Sequence, residues 1–286
     1  MAQIRDKMVE DMTLRGLAPN TQETYLRAVR AFVAFFMRTP AELGTGEVRA
    51  YLLFLLQVAL RSPSTVNVTI GALRFLFGTT LERPEVMETI RSVRKDHPQP
   101  EVLAGSEVLA LLEHAPSLRY LTLFTVLYST GLRVSEALNL TPKDIDSRRM
   151  VISIHGTKNK YDRLVALTPK VLGVLRKYWI QYRPTGDFLF PGQSGLVPLS
   201  REAVLDAIKK AASAAGITKN VHPHSLRHAY ATHSLELGTD LRTVQILLGH
   251  NSIKSTTQYT HLSEARRQTL RNPLDVLGTE EGPVLG

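Results

Sequence analysis

The sequence predicts a mainly α-helical protein with a small antiparallel β-sheet, built as two domains, and three observations support this. Apolar residues recur at helical spacing along most of the chain, whereas β-rich runs are confined to residues 150–167. A charged stretch with three prolines, residues 82–101, separates two regions that can each form a core. The length, 286 residues, fits about two domains. We place them at 1–97, with connecting chain from about residue 82, and at 98–286, which ends in a C-terminal tail.

In the first domain Tyr25, Leu26, Val29, Phe32, Val33 and Phe36 are spaced by three and four, the stripe of an amphipathic helix. Breaks at 16–19, 39–46 and 61–64 divide residues 3–80 into four helices. Thr45 is the expected cap of the third helix, and Ser62 or Ser64 that of the fourth. Pro84, Pro98 and Pro100, set among Arg91, Arg94, Lys95 and Asp96, make poor core material, so 82–101 reads as a linker. In the second domain helices are expected over 106–114 and 118–130, the latter stopped by Gly131, with another starting near Arg133. Val151–Ile154 and Arg163–Leu167 flank a polar, basic tip and read as a β-hairpin. Helices follow over 169–182, 200–215, 223–237 and 240–248, the last behind a cap at Thr239.

The net charge of +9 and the pI near 9.8 point to a polyanionic partner, with nucleic acid first. Of 35 basic residues 24 are arginine, which favours bidentate recognition of phosphate over point-charge attraction. The absence of cysteine excludes disulfides, thiolate zinc sites, iron–sulfur clusters and cysteine nucleophiles. No stretch reaches the roughly 18 apolar residues of a membrane span, so no membrane partner is expected and a cytoplasmic location is.

Six of the nine histidines fall between 222 and 261. A metal site would be one reason, with His224 and His228 on one helix face. Against it, no HExxH arrangement occurs and no acidic residue lies between Val221 and Leu235, so neither metal nor cofactor is expected. His224 and Arg227, three apart on a helix, offer two donors to phosphate oxygens. Arg133 follows a helix break, and Glu136, three residues on, either orients it or forms an ordinary surface ion pair. His250 follows a helix-stopping glycine, and Tyr259 stands in a polar setting nine residues later.

Taken together, Thr-Gly-Leu-Arg133-x-Ser-Glu-Ala-Leu, a lysine in the hairpin, His224-x-Leu-Arg227-His-x-x-Ala-Thr-His, Leu-Gly-His250 and Tyr259-Thr-His resemble the catalytic set of the tyrosine recombinases, the lambda-integrase family. The resemblance implies a helical, SAM-like core-binding domain ahead of an α+β catalytic domain. It implies an enzyme that cuts and rejoins duplex DNA through a 3'-phosphotyrosine, without ATP or metal, in integration, excision, resolution or transposition. Tyr259 would be the nucleophile, Arg133 and Arg227 the phosphate clamp, His224 and His250 further donors or proton carriers, and Lys158 the acid for the leaving oxygen, with Lys160 its near rival. The partners implied are a double-stranded recombination site and further copies of the chain, a synaptic tetramer on DNA and a monomer or dimer off it; a second recombinase or accessory protein is a further candidate. The tail, with Leu274, Val276 and Leu277, would dock on a neighbouring protomer, as in similar proteins, with folding on its own domain as the alternative. The competing reading is a DNA-binding protein that keeps the fold and has lost catalysis, for which Tyr259 would have no use.

Overall fold

The computed structural model describes residues 2–94, 101–155, 162–184, 186–249 and 272–277. Two compact units, Met1–Gln99 and Pro100–Gly286, each hold a separate hydrophobic core.

In the first unit α1 (Ala2–Leu14), α2 (Pro19–Phe36), α3 (Thr45–Gln57) and α4 (Pro63–Phe75) enclose a core built on Met8, Met12, Phe32, Ile70, Leu73 and Phe77. Phe32 meets Tyr51 and Phe77 edge-on at 5.4 and 6.2 Å, the arrangement that the ring quadrupoles favour. Pro19 and Pro63 open their helices at the position where a missing N–H costs nothing. Ser62, rather than Ser64, caps α4, its hydroxyl accepting from the Thr65 amide at 3.3 Å.

Thr45 does not cap α3. Gly44 holds that position and donates its amide to Glu47 at 3.0 Å, while the Thr45 hydroxyl donates to the Val86 carbonyl at 3.0 Å. That second bond belongs to a larger difference, because the chain after residue 82 is not free linker. Pro84–Met87 form a 3-10 turn, Val86, Met87 and Ile90 are buried, and the Asn67 side chain brackets the Val93 backbone with bonds of 2.9 and 2.7 Å. Pro84 opens a turn, and the apolar residues between it and Arg91 reach the core.

The second unit is arranged around one helix. After α5 (Gly105–Glu113), α6 (Leu118–Thr130) is buried on every side from Thr122 to Thr130. A helix without a solvated face needs cover all round. α8 (Pro169–Tyr182) and α10 (Pro223–Glu236) supply much of it, and the Thr122 and Thr130 hydroxyls satisfy themselves on the carbonyls of Leu118 and Val126. α7 (Val134–Leu138) leads to a three-stranded antiparallel sheet of β1 (Ile145–Asp146), β2 (Val151–Ile154) and β3 (Arg163–Ala166), with β2 central. The β2–β3 register pairs Val151 with Ala166 and Ile154 with Arg163, so Arg163 begins the strand that returns from the hairpin tip. β1 is absent from the sequence reading because two residues are too short to display a period.

α9 (Arg201–Ala214) and α11 (Leu241–Leu248) complete the helices around the sheet and α6. The cap of α11 is Asp240, whose carboxylate accepts from the Thr243 amide at 2.9 Å, and not Thr239. Of the tail, residues 272–277 are described. Residues 272–277, with a short helix at Pro273–Val276, pack on the unit's own core through Leu274 and Leu277, and Asn272 donates to the Ser129 carbonyl at 2.6 Å. Within this chain the cover for those leucines comes from the domain that carries them.

Candidate active site

The site is built where two helix ends meet. α6 stops at Gly131 in the left-handed conformation (φ 62°), and α11 stops at Gly249 in the same way (φ 64°). A Cβ on Gly131 would lie 2.5 Å from the Tyr230 ring and 2.7 Å from Leu248, so only glycine lets the end of α6 close on α10 and α11. Tyr230 itself is buried in the core.

Arg227 comes from the first turns of α10 and is 6% exposed. It donates through one Nη to the Gly131 carbonyl at 2.6 Å and through the other to the Leu248 carbonyl at 2.8 Å, which fastens both helix ends to one guanidinium. Burial pushes its pKa down to about 10, and the neighbouring Arg133 charge adds to that. It remains a cation at neutral pH.

Arg133 leads into α7. Its backbone amide donates to Glu136 Oε2 at 2.9 Å, its Nη1 to Glu136 Oε1 at 2.9 Å, and its Nη2 to the Gly249 carbonyl at 3.3 Å. Glu136 therefore orients Arg133, and the surface-pair alternative falls because this carboxylate is buried. Burial alone would raise the Glu136 pKa. The hydrogen bonds and charge of Arg163, followed by the amide and guanidinium of Arg133, outweigh that and hold it at about 2. Arg163 is the residue that sequence reasoning missed: it donates to the two Glu136 oxygens at 3.2 and 2.8 Å. A strand arginine carries no local sign of such a role, since the contact depends on how the hairpin packs against α7.

His224 stands exposed on the first turn of α10. Partial burial lowers its pKa, and the charges of Arg227, then the imidazoles of His222 and His228, then Arg133, lower it further. It is neutral over a wider range than a free imidazole. His222, unassigned from sequence, caps α10, its Nδ1 accepting from the Ser225 amide at 3.2 Å. His233 is buried against the Tyr128 hydroxyl at 2.8 Å.

The structure thus brings together Arg133, Glu136, Arg227 and His224, joined by Arg163. Lys158, His250 and Tyr259 lie outside the described residues, as do Lys160 and the arginines of the tail. Their chain neighbours do not: Gly249 carries the Arg133 contact, and His155 and Arg163 stand on the two sides of the hairpin tip. Among the described residues no group of three or more His, Cys, Asp or Glu side chains is placed to hold a metal, and no helix is long and apolar enough to cross a membrane.

Two guanidinium groups held on main-chain carbonyls around a pair of helix stops, in a chain whose first unit is a separate four-helix core, define a class. The chain belongs to the phage integrase family: the pattern of that family matches residues 101–266, and that of the phage integrase N-terminal SAM-like domain matches residues 4–85. It is a tyrosine recombinase of the lambda-integrase kind. It is 40% identical over 97% of its length, and over 90% of the relative's, to y4qK of Sinorhizobium fredii, whose name assigns it to the integrase/recombinase class. It is 34% identical to the tyrosine recombinase XerD of Pseudomonas aeruginosa, covering 93% of this chain and 94% of that one. A lambda integrase dimer bound to a COC' core site has the same fold, with a TM-score of 0.71 at 17% identity over 88% of this chain and 95% of that one.

Proposed function

We propose that this recombinase cuts duplex DNA by attack of the Tyr259 hydroxyl oxygen on a backbone phosphorus, with the family's chemistry carried by Arg133, Lys158, His224, Arg227 and His250. The P–O5' bond breaks as the tyrosine–phosphorus bond forms, which leaves a 3'-phosphotyrosine and a free 5'-hydroxyl. The tyrosine proton passes to a base of the site, and Lys158 protonates the leaving 5'-oxygen. Because the phosphoester bond energy is kept in the adduct, a 5'-hydroxyl from another strand reverses the step and rejoins DNA without ATP.

The observation that carries the reading is the anchoring of both guanidinium groups at these helix ends: Arg227 bridges the two through Gly131 and Leu248, and Arg133 holds the end of α11 through Gly249. A guanidinium has five N–H donors, and each of these spends at most two on main-chain carbonyls. The phosphorane gains negative charge as it forms, and preorganised cations are most effective where charge develops. His224, kept neutral by its surroundings, suits proton acceptance beside that phosphate. Glu136 is a positioning residue.

The binding partner in this reading is a double-stranded recombination site, as in the lambda integrase complex, and the working form is an oligomer on DNA, a synaptic tetramer, with monomer or dimer off it. The reading puts the protein in the cytoplasm, on the nucleoid. Integration, excision, resolution and transposition share this step, and the DNA site distinguishes them. A second recombinase or accessory protein joins where the site requires it.

The test is covalent trapping in EDTA on a library of duplexes with a nick placed so that the cut fragment diffuses away. Wild type is expected to give protein–DNA adducts that survive denaturing electrophoresis, and Tyr259→Phe to bind DNA and give none. An adduct from Tyr259→Phe would move the nucleophile to another residue, and none from wild type in the presence of DNA binding would reject the cutting reaction.

A further inference from the structure

We propose that Arg163 is a positioning residue for DNA cleavage: its guanidinium bridges Glu136 and the Gly249 turn and thereby holds Arg133 against the phosphate. The inference rests on the cleavage reading above and deepens it by one residue.

The Glu136 carboxylate is shared evenly. Oε1 accepts from Arg133 Nη1 at 2.9 Å and Arg163 Nη1 at 3.2 Å, and Oε2 accepts from the Arg133 amide at 2.9 Å and Arg163 Nη2 at 2.8 Å. Each oxygen therefore has one bond from either arginine. Only the fork geometry of a guanidinium fills both oxygens from one side, so Arg163 fixes the rotation of the carboxylate that aims Arg133. An arginine opening a short strand near a hairpin tip is ordinarily solvated, yet this side chain is 19% exposed.

The guanidinium also lies on Gly249. A Cβ there would stand 3.2 Å from Arg163 Cζ and Nη1, close enough that any side chain would have to displace it. The Gly249 carbonyl in turn accepts from Arg133 Nη2. Arg163, Glu136, Arg133 and Gly249 thus form a closed ring of contacts drawn from β3, α7, the turn before it and the end of α11. Substituting Arg163 opens the ring at two of its joints without changing any residue expected to touch the phosphate. A misplacement of about 1 Å in such a group costs on the order of 100-fold in rate.

The experiment measures single-turnover adduct formation on the nicked duplex with the full chain, alongside DNA binding and thermal melting. Arg163→Met is expected to cleave about 100-fold more slowly with DNA binding unchanged, and Arg163→Lys, which keeps the charge and loses the fork, to recover part of that loss. The loss should persist on a duplex with a bridging 5'-phosphorothiolate, whose leaving group needs no acid, because the defect lies at Arg133 and not at the leaving oxygen. Arg163→Met combined with Glu136→Gln should be no slower than the worse single variant, as expected for residues acting through one contact. Wild-type rates in Arg163→Met and Arg163→Lys, full rescue by the phosphorothiolate, or losses that add in the double variant would each overturn the inference. A wild type that forms no adduct sinks the cleavage reading and this inference with it, whereas adducts from wild type at a rate matched by Arg163→Met sink this one alone.

Discussion

Glu136 is a buried carboxylate that is acceptable to the fold only while it is charged. Its two arginines repay the desolvation, and taking the charge away would leave them uncompensated. Its folded pKa is depressed from 4.5 to about 2, so the stabilisation is fully present above pH 4.5 and is lost as the pH falls toward 2. A shift of that size corresponds to about 3 kcal/mol. Glu136→Gln is therefore expected to melt well below wild type at pH 7, with the gap closing between pH 4.5 and 2; a gap that stays constant over that window would show that the carboxylate's charge contributes nothing. At this scale the grouping of the described site residues was legible in part. His224 and Arg227 declare themselves by a spacing of three on one helix, and Arg133 with Glu136 by the same interval after a glycine stop. Arg163 did not, because its partner is 27 residues away and the contact exists only once the hairpin has packed on α7.

The hairpin carries the prediction at the level of the element. β2 and β3 are held in register through Ile154 and Arg163, and at the tip His155 bridges Asp144 at 3.0 Å and Asp162 at 3.1 Å. The ends of the hairpin that are described, His155 and Asp162, are thus tied to each other and to Asp144 in the turn before β1. Lys158→Ala is expected to lose adduct formation on an ordinary phosphodiester and to regain it on the 5'-phosphorothiolate, whose sulfur departs without a proton. The same result from Lys160→Ala, with Lys158→Ala unaffected, would move the acid by two residues. Most elements were legible, since α2 keeps its apolar stripe and α6 and α8 have clear starts or stops. Cap positions were read one residue late at Thr45 and one early at Thr239, where Gly44 and Asp240 do the capping. Both misreadings come from choosing a threonine next to the residue that actually turns the chain. The stretch after residue 82 misled for another reason: charge and proline dominate its composition, while three apolar side chains decide its structure.

Across the whole molecule, the charge is spread over both units rather than gathered on one. Residues 1–97 and 98–286 are each net positive, by +3 and +6, within the total of +9. If both units meet the DNA backbone, each contributes to the counterions released on binding. The logarithm of the association constant then falls linearly with the logarithm of salt concentration, by about 0.9 for every phosphate neutralised. The full chain is expected to have a steeper salt dependence than residues 100–286 alone, measured by fluorescence anisotropy on one duplex between about 50 and 200 mM salt. Tyr259→Phe serves as the background for both proteins, so that covalent capture does not distort the equilibrium. Equal slopes would mean that the helical unit adds no phosphate contacts, and its share in affinity would have to come from base edges or from protein–protein contacts. A steeper slope with an unchanged ranking of DNA sequences would assign that unit to the backbone and leave sequence discrimination to residues 100–286.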